Sequence, residues 1–145
     1  MTEVGAKKII CGGTTANIAQ RELNLELTVD IDSMTEKIPP IAYMDGFDLV
    51  TEGVLTLGDA LDKIKEYNKS SYDEVIDFNQ YNGSSLLAKM LMEESTHVNF
   101  YVGKAVNPAH QNPNFPAGFN IKLKIVYDLI DELKKAGKEV TATYL

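Results

Sequence analysis

The sequence predicts an α/β fold, a Rossmann-like three-layer sandwich around a mostly parallel sheet of about five strands. Three observations point there. Short apolar runs rich in β-branched residues stop at glycines, at Gly12-Gly13, Gly53 and Gly103. Between them lie stretches whose apolar residues recur at helical spacing. The order is strand, helix, strand, strand, helix, helix, strand, helix, strand. Such alternation builds parallel βαβ units with right-handed crossovers.

The first strand is Lys7-Lys8-Ile9-Ile10-Cys11, bounded by Gly12-Gly13. Thr14 and Thr15 offer hydroxyls to cap a helix over residues 16–23. Ala16, Ala19 and Leu23 share one of its faces and Asn17 and Arg21 another, with Asn24 as the stop. Residues 25–31 alternate strictly between apolar and polar, the period of a strand near a sheet edge. Pro39-Pro40 closes a loop and leaves Ile41-Ala42-Tyr43-Met44 extended. Asp45-Gly46 is a turn, and Phe47-Asp48-Leu49-Val50-Thr51 is the next strand.

Thr56 opens a helix with Asp59 as its capping-box partner, followed by Leu57, Ala60, Leu61, Ile64 and Tyr67 at helical spacing. Ser71 and Glu74 repeat the pattern before a short helix, and Asn82-Gly83 reads as a turn. Ser85 then caps a helix carrying Leu86, Leu87, Met90 and Leu91. Residues 97–103 are a strand, and a long loop with Pro108, Pro113 and Pro116 follows. Asn120 caps the last helix, whose stripe is Ile121, Ile125, Leu129, Ile130 and Leu133, with lysines and acids opposite. Gly137 ends it, and residues 140–144 close the fold. Residues 1–6 read as a disordered lead-in extraneous to the domain, and residues 7–145 as a single domain.

At 145 residues, 44% hydrophobic and 24% charged, the chain can bury one core without staples. One Cys excludes an internal disulfide framework and a multi-thiolate zinc site. No run has the length of a membrane span and no signal-peptide core opens the chain, so a cytoplasmic location is expected. The net charge of −7 argues against nucleic acid or an anionic membrane as partner. Most of it is concentrated between Glu26 and Glu52, where Glu26, Asp30, Asp32, Glu36, Asp45, Asp48 and Glu52 face only Lys37. That concentration favours a cation or a mixed polar ligand over a bare phosphate.

In open parallel sheets ligands bind beyond the carboxyl ends of the strands. This rule selects three groups for one rim. Gly12-Gly13-Thr14-Thr15 can cradle an anion on free backbone N–H groups at a helix start, with Asn17 one turn on. It is neither a Walker A loop nor GxGxxG, and it also reads as a tight, capped turn. Asp45, Asp48 and Glu52 could hold a divalent cation such as magnesium, or recognise a cationic group, or simply stand in water. Asn107-Pro108-Ala109-His110-Gln111-Asn112-Pro113 sets donors and acceptors between stiffening prolines, with His110 as acid, base or ligand. His97 reads as structural. Cys11 reads as a small hydrophobe, although a place before a helix start could lower its thiol pKa.

Three blocks resemble a known family. They are residues 8–18 (Lys8-Ile9-Ile10-Cys11-Gly12-Gly13-Thr14-Thr15-Ala16-Asn17-Ile18), residues 39–57, and residues 102–113. Together they resemble the C-terminal accessory region of the stage II sporulation protein E family of PPM-type serine/threonine phosphatases, in the form found near iron hydrogenase genes of anaerobes. The resemblance implies a longer parent with a phosphatase domain upstream, and that domain as a partner. It carries no phosphatase metal ligand onto this chain.

The expected function is a ligand-sensing or regulatory domain. Gly12, Gly13, Thr14 and Thr15 would contact an anionic part of a small polar ligand. Asp48 and Glu52 would bind a hydroxyl, amine or hydrated cation, and Asn107, His110 and Asn112 would close over it. No cofactor is expected beyond a divalent cation. The alternatives are a small enzyme acting on a polar metabolite with His110 and Glu52 as its acid and base, and an interaction or dimerisation module. Of these, the module would use the alternating second strand and Tyr67, Tyr72 and Tyr81.

Overall fold

A computed structural model describes residues 7–69, 78–103 and 117–144. The elements run β1 (Ile9–Cys11), α1 (Gly13–Leu23), β2 (Thr28–Asp30), a 3-10 turn (Ile31–Ser33), β3 (Ile41–Tyr43), β4 (Leu49–Thr51), α2 (Val54–Lys69), α3 (Gly83–Met92), β5 (His97–Val102), α4 (Ala117–Lys135) and β6 (Glu139–Tyr144). The predicted short helix around Ser71 and Glu74 lies outside the described residues, as does Tyr72.

The α/β class holds, but the single mostly parallel sheet of about five strands does not. The strands form a four-stranded mixed sheet in the order β1-β4-β3-β2 and a separate two-stranded sheet, β5-β6. In the larger sheet β1 pairs with β4 in parallel, while β3 is antiparallel to both β4 and β2. The cause is connection length. Residues 44–48 join β3 to β4, and a parallel return needs roughly a dozen residues or more. Phe47 N donates to Met44 O at 3.1 Å, and this tight turn sends the chain straight back. Residues 31–40 turn β2 back on β3 in the same way. The buried Ser33 hydroxyl donates to Asp30 O (2.7 Å) and accepts from Ile41 N (2.8 Å), tying the loop to the first residue of β3. β2 lies at the edge, as its alternation predicts.

Alternation along β1, β4 and β3 feeds two cores. Leu49 and Ile41 face a large cluster with Leu57, Leu61 and Ile64 of α2, Leu87 and Leu91 of α3, and Leu129 and Leu133 of α4. Ile10, Val50 and Ala42 face the other way, onto Ala16 and Ala19 of α1 and onto Met44. The helix α1 therefore covers one face, and α2, α3 and α4 pack on the other. The parallel pair β5-β6 runs in register from His97↔Glu139 to Val102↔Tyr144. Val98, Phe100 and Val140 pack against the large cluster.

Helix ends correct several predicted caps. The helix α1 starts at Gly13, ahead of Thr14 and Thr15, and its N-cap Gly12 has no side chain to offer. Asn24 stops it in the left-handed region, as expected. The helix α2 starts two residues before Thr56, whose hydroxyl is buried without a hydrogen-bond partner. Asn82, predicted as a turn residue, caps α3 by accepting from Ser85 N at 2.9 Å, which displaces Ser85 from that role. Asn120 lies inside α4, not ahead of it. At the other end of α4, Gly137 N donates to Lys134 O and Lys138 N to Leu133 O (both 3.0 Å), the paired bonds of a Schellman ending.

Two carboxylates pin α2 to its neighbours. Asp59 accepts from the Ser84 hydroxyl of α3 and pairs with Lys63 at 3.0 Å. Glu132 of α4 accepts from Asn68 Nδ2 of α2 at 2.9 Å. Burial alone would raise the Asp59 pKa, but Ser84 and Lys63 together outweigh it and hold it below the ordinary value. The Asn68 amide holds Glu132 low, against its own burial. Both folded pKa values are depressed, so the stability they confer is present above the unfolded values of about 4 and is lost as pH falls through the folded ones. Urea titrations from pH 7 to pH 3 are expected to show this loss. The double variant Asp59→Asn/Glu132→Gln is expected to be less stable at pH 7 and to show a flatter acid limb.

Candidate functional site

The site grows from the parallel pairing of β1 and β4. Their carboxyl ends lie side by side, with Cys11 opposite Thr51. From there the chain leaves in opposite directions, into α1 on one face of the sheet and into α2 on the other. A crevice between two such ends is where open α/β sheets bind ligands. The rule that selected the rim from sequence needs only this local parallel pair.

Two glycines close the crevice floor. Gly12 has φ 138° and Gly53 has φ 151°, values that an L side chain rarely adopts. A Cβ on Gly53 would stand 3.4 Å from Gly12 Cα, so the two strand-to-helix turns touch backbone to backbone. Gly12 N is spent on Thr51 O at 2.9 Å. The first intrahelical bonds are Ala16 N to Gly12 O and Leu57 N to Gly53 O. The N–H groups of residues 13–15 and 54–56 thus have no intrahelical acceptor. Neither helix has an acidic residue in its first turn.

A third positive group arrives from α4. Lys122, partly buried in the second turn of that helix, places Nζ 3.3 Å from the point a Cβ on Gly12 would occupy. None of the ion pairs among the described residues involves Lys122. Two helix N-termini and an ammonium therefore meet without a paired carboxylate among the described residues. Beneath them the Thr51 hydroxyl is 4% exposed and has no hydrogen-bond partner of ordinary geometry. The Cys11 thiol is beside it. Burial pushes the Cys11 pKa up, and the Thr51 hydroxyl and the Lys122 charge pull it down without prevailing. The reactive thiolate that a helix start could have produced is not what this burial favours.

The predicted site residues fall into three groups. Gly12, Thr15 and Glu52 meet at the crevice, and Gly13 and Thr14 form the backbone of the first turn of α1 between them. Thr15 Oγ1 is 3.9 Å from the Cβ position of Gly12 and the Glu52 carbonyl oxygen is 3.8 Å from it. Asn17 is exposed further along α1. Asp48 stands at the other end of β4, where its carboxylate accepts from Lys8 N at 2.7 Å and so secures the start of β1. Asp45 lies in the turn before it, again away from Glu52. Among the described residues no three His, Cys, Asp or Glu side chains gather as metal ligands would. Asn107, His110 and Asn112 lie outside the described residues. His97 pairs with Glu139 across β5 and β6 at 2.7 Å on the surface. Among the described residues no helix is long and apolar enough to cross a membrane.

Sequence reasoning missed Lys122. It was counted with the lysines opposite the apolar stripe of α4, and helical periodicity does not reveal what the first turns of that helix pass over. The acids behind the expected cation or mixed polar ligand stand mostly away from the crevice. Of the seven acids between residues 26 and 52, Glu52 alone adjoins the two glycines. No family model, no curated protein and no solved structure matches this chain.

Two outcomes are expected. Cys11 is predicted to react slowly with thiol reagents at pH 7, with a rate that climbs only above the ordinary thiol range. Absorbance assays of thiol modification against pH check this. Gly53→Ala forces a side chain into the left-handed region and against Gly12, and it is expected to cost about 1–3 kcal/mol in urea denaturation.

Proposed function

We propose that this chain is a ligand-binding accessory domain that takes the anionic end of a small polar molecule in the crevice between β1 and β4. One observation carries the reading, the meeting of two helix N-termini that follow glycines with the Lys122 ammonium over Gly12, which pairs with no carboxylate among the described residues. Aligned peptide dipoles give each N-terminus a partial positive charge, and free N–H groups supply direction. An unpaired cation held against them is a repulsive arrangement, which a bound anion relieves. Glu52 at the same rim would accept a hydroxyl or amine of the ligand, so a molecule with one anionic end and a polar body fits better than a bare anion.

The three sequence blocks support a regulatory role in a protein of the stage II sporulation protein E phosphatase family. Two of them, residues 8–18 and 39–57, contain both turns of the crevice. In that reading the domain reports ligand occupancy to a phosphatase domain upstream. Among the described residues no cluster of metal ligands is offered to the phosphatase chemistry.

Thermal unfolding with inorganic phosphate, nucleoside phosphates, sugar phosphates and dicarboxylates tests the reading. A ligand at 100 times its Kd is expected to add about 2.7 kcal/mol of stability. Lys122→Glu is expected to weaken that ligand by at least about tenfold, with an unchanged circular dichroism spectrum as the check on its fold. Absence of stabilisation by every anion, or an unchanged affinity in Lys122→Glu, overturns it.

A further inference from the structure

The far edge of the larger sheet carries a second surface. We propose that the free edge of β2 takes up an extended segment of another protein in which apolar and basic residues alternate.

Among the described residues β2 has one neighbour, β3, so its outer backbone groups have no strand to pair with. The register gives the edge two different faces. Val29 lies opposite Ala42, on the α1 side, and Thr28 lies opposite Tyr43 on the other. On the α1 side Val29 is 49% exposed and Ile31, just past the strand, is 62% exposed. Leu25 and Leu27 are already packed against the smaller core there. A further strand would lay an apolar side chain beside Val29 and extend that core.

The other side is acidic. A groove of about 360 Å³ is lined by Glu26, Thr28, Tyr43 and Asp45, and also by Met44 and Phe47 of the smaller core, so it reaches round the end of the sheet. Asp30 stands near it, with its carboxylate held by the Tyr43 and Tyr81 hydroxyls. A strand added about 4.8 Å away would project every second side chain over this groove. An ammonium or guanidinium there meets two carboxylates and the face of a tyrosine. The alternation of the partner follows from the alternation of the edge.

Charge also decides against a second copy of this chain. Residues 26–45 hold Glu26, Asp30, Asp32, Glu36 and Asp45 against Lys37. Antiparallel self-pairing would set these acids against themselves, which is how edge strands are protected from their own kind. The same charges complement a basic strand, and main-chain pairing with alternating pockets is an established mode of peptide capture.

Fluorescence anisotropy with a short labelled peptide of alternating Val and Lys tests this. The controls are a Val/Glu peptide and a Val/Lys peptide with a central Pro. The Val/Lys peptide is expected to bind at least about tenfold more tightly than either control, with an affinity that falls as salt rises. Binding is expected to slow amide hydrogen exchange at residues 28–30. Glu26→Lys/Asp45→Lys changes two exposed positions, so folding is retained, and it is expected to weaken the peptide about tenfold. Anion stabilisation at the Lys122 crevice should survive in that variant, which separates the two sites. Equal binding of the Lys and Glu peptides, no effect of the double variant, or a dimer of the free chain through β2 in sedimentation would each overturn the proposal.

Discussion

The parallel contact between β1 and β4 is the constraint from which the rest of this structure follows. Each strand is three residues long, and the pairing is in register from Ile9↔Leu49 to Cys11↔Thr51. Alternate residues of that short ladder go to opposite cores, so α1 and α2 must leave on opposite faces. Both strands then end at the same level. The turns that follow can meet only because Gly12 and Gly53 adopt a backbone that side chains resist. Thus one register places two helix starts, two glycines and a buried threonine at a single point.

Much of the element order was legible in the sequence, because periodicity and glycine punctuation report local structure. Sheet topology was less so, and the failure is specific. Strand-helix alternation suggested parallel crossovers throughout, yet the five residues between β3 and β4 already demanded an antiparallel return. The cap assignments failed where two eligible residues stood close together. Asn82 and Ser85 both suit an N-cap, and the Asn82 side chain takes the role by accepting from Ser85 N. Gly12 and Glu52 were found at the site because a rule about strand ends applies wherever two parallel neighbours exist. Asp48 was misplaced because spacing along a strand says nothing about which end faces the ligand. Lys122 was invisible to pattern alone, since its role depends on packing of α4 across more than a hundred residues of chain.

Charge is segregated in the folded chain more sharply than in the sequence. The acidic stretch from residue 26 to residue 45 wraps the β2 edge and the turn after β3, while Lys122 and the two helix starts occupy the β1–β4 rim. A single net charge of −7 therefore describes neither surface. The overall sign does not oppose the anion proposed for the rim, because the fields of the first turns are short-ranged and Debye screening of about 8 Å at physiological salt confines the acidic edge to its own neighbourhood.

The position of Lys122 is in turn a property of the helical layer. Leu129 and Leu133 anchor α4 in the large core, and Asn68 bonds to both the carbonyl and the carboxylate of Glu132. The Schellman ending and the Lys138 ammonium, which donates to Met92 O at 2.8 Å and to Ser95 O, fix the other end of the helix to the segment before β5. These contacts lie two or more turns from the crevice, and none of them touches it. They determine the rotation and height of α4, and hence whether an ammonium stands over Gly12. The crevice is thus assembled from one local pairing and one remote packing interface, and a change in either reaches the crevice without altering a residue that lines it.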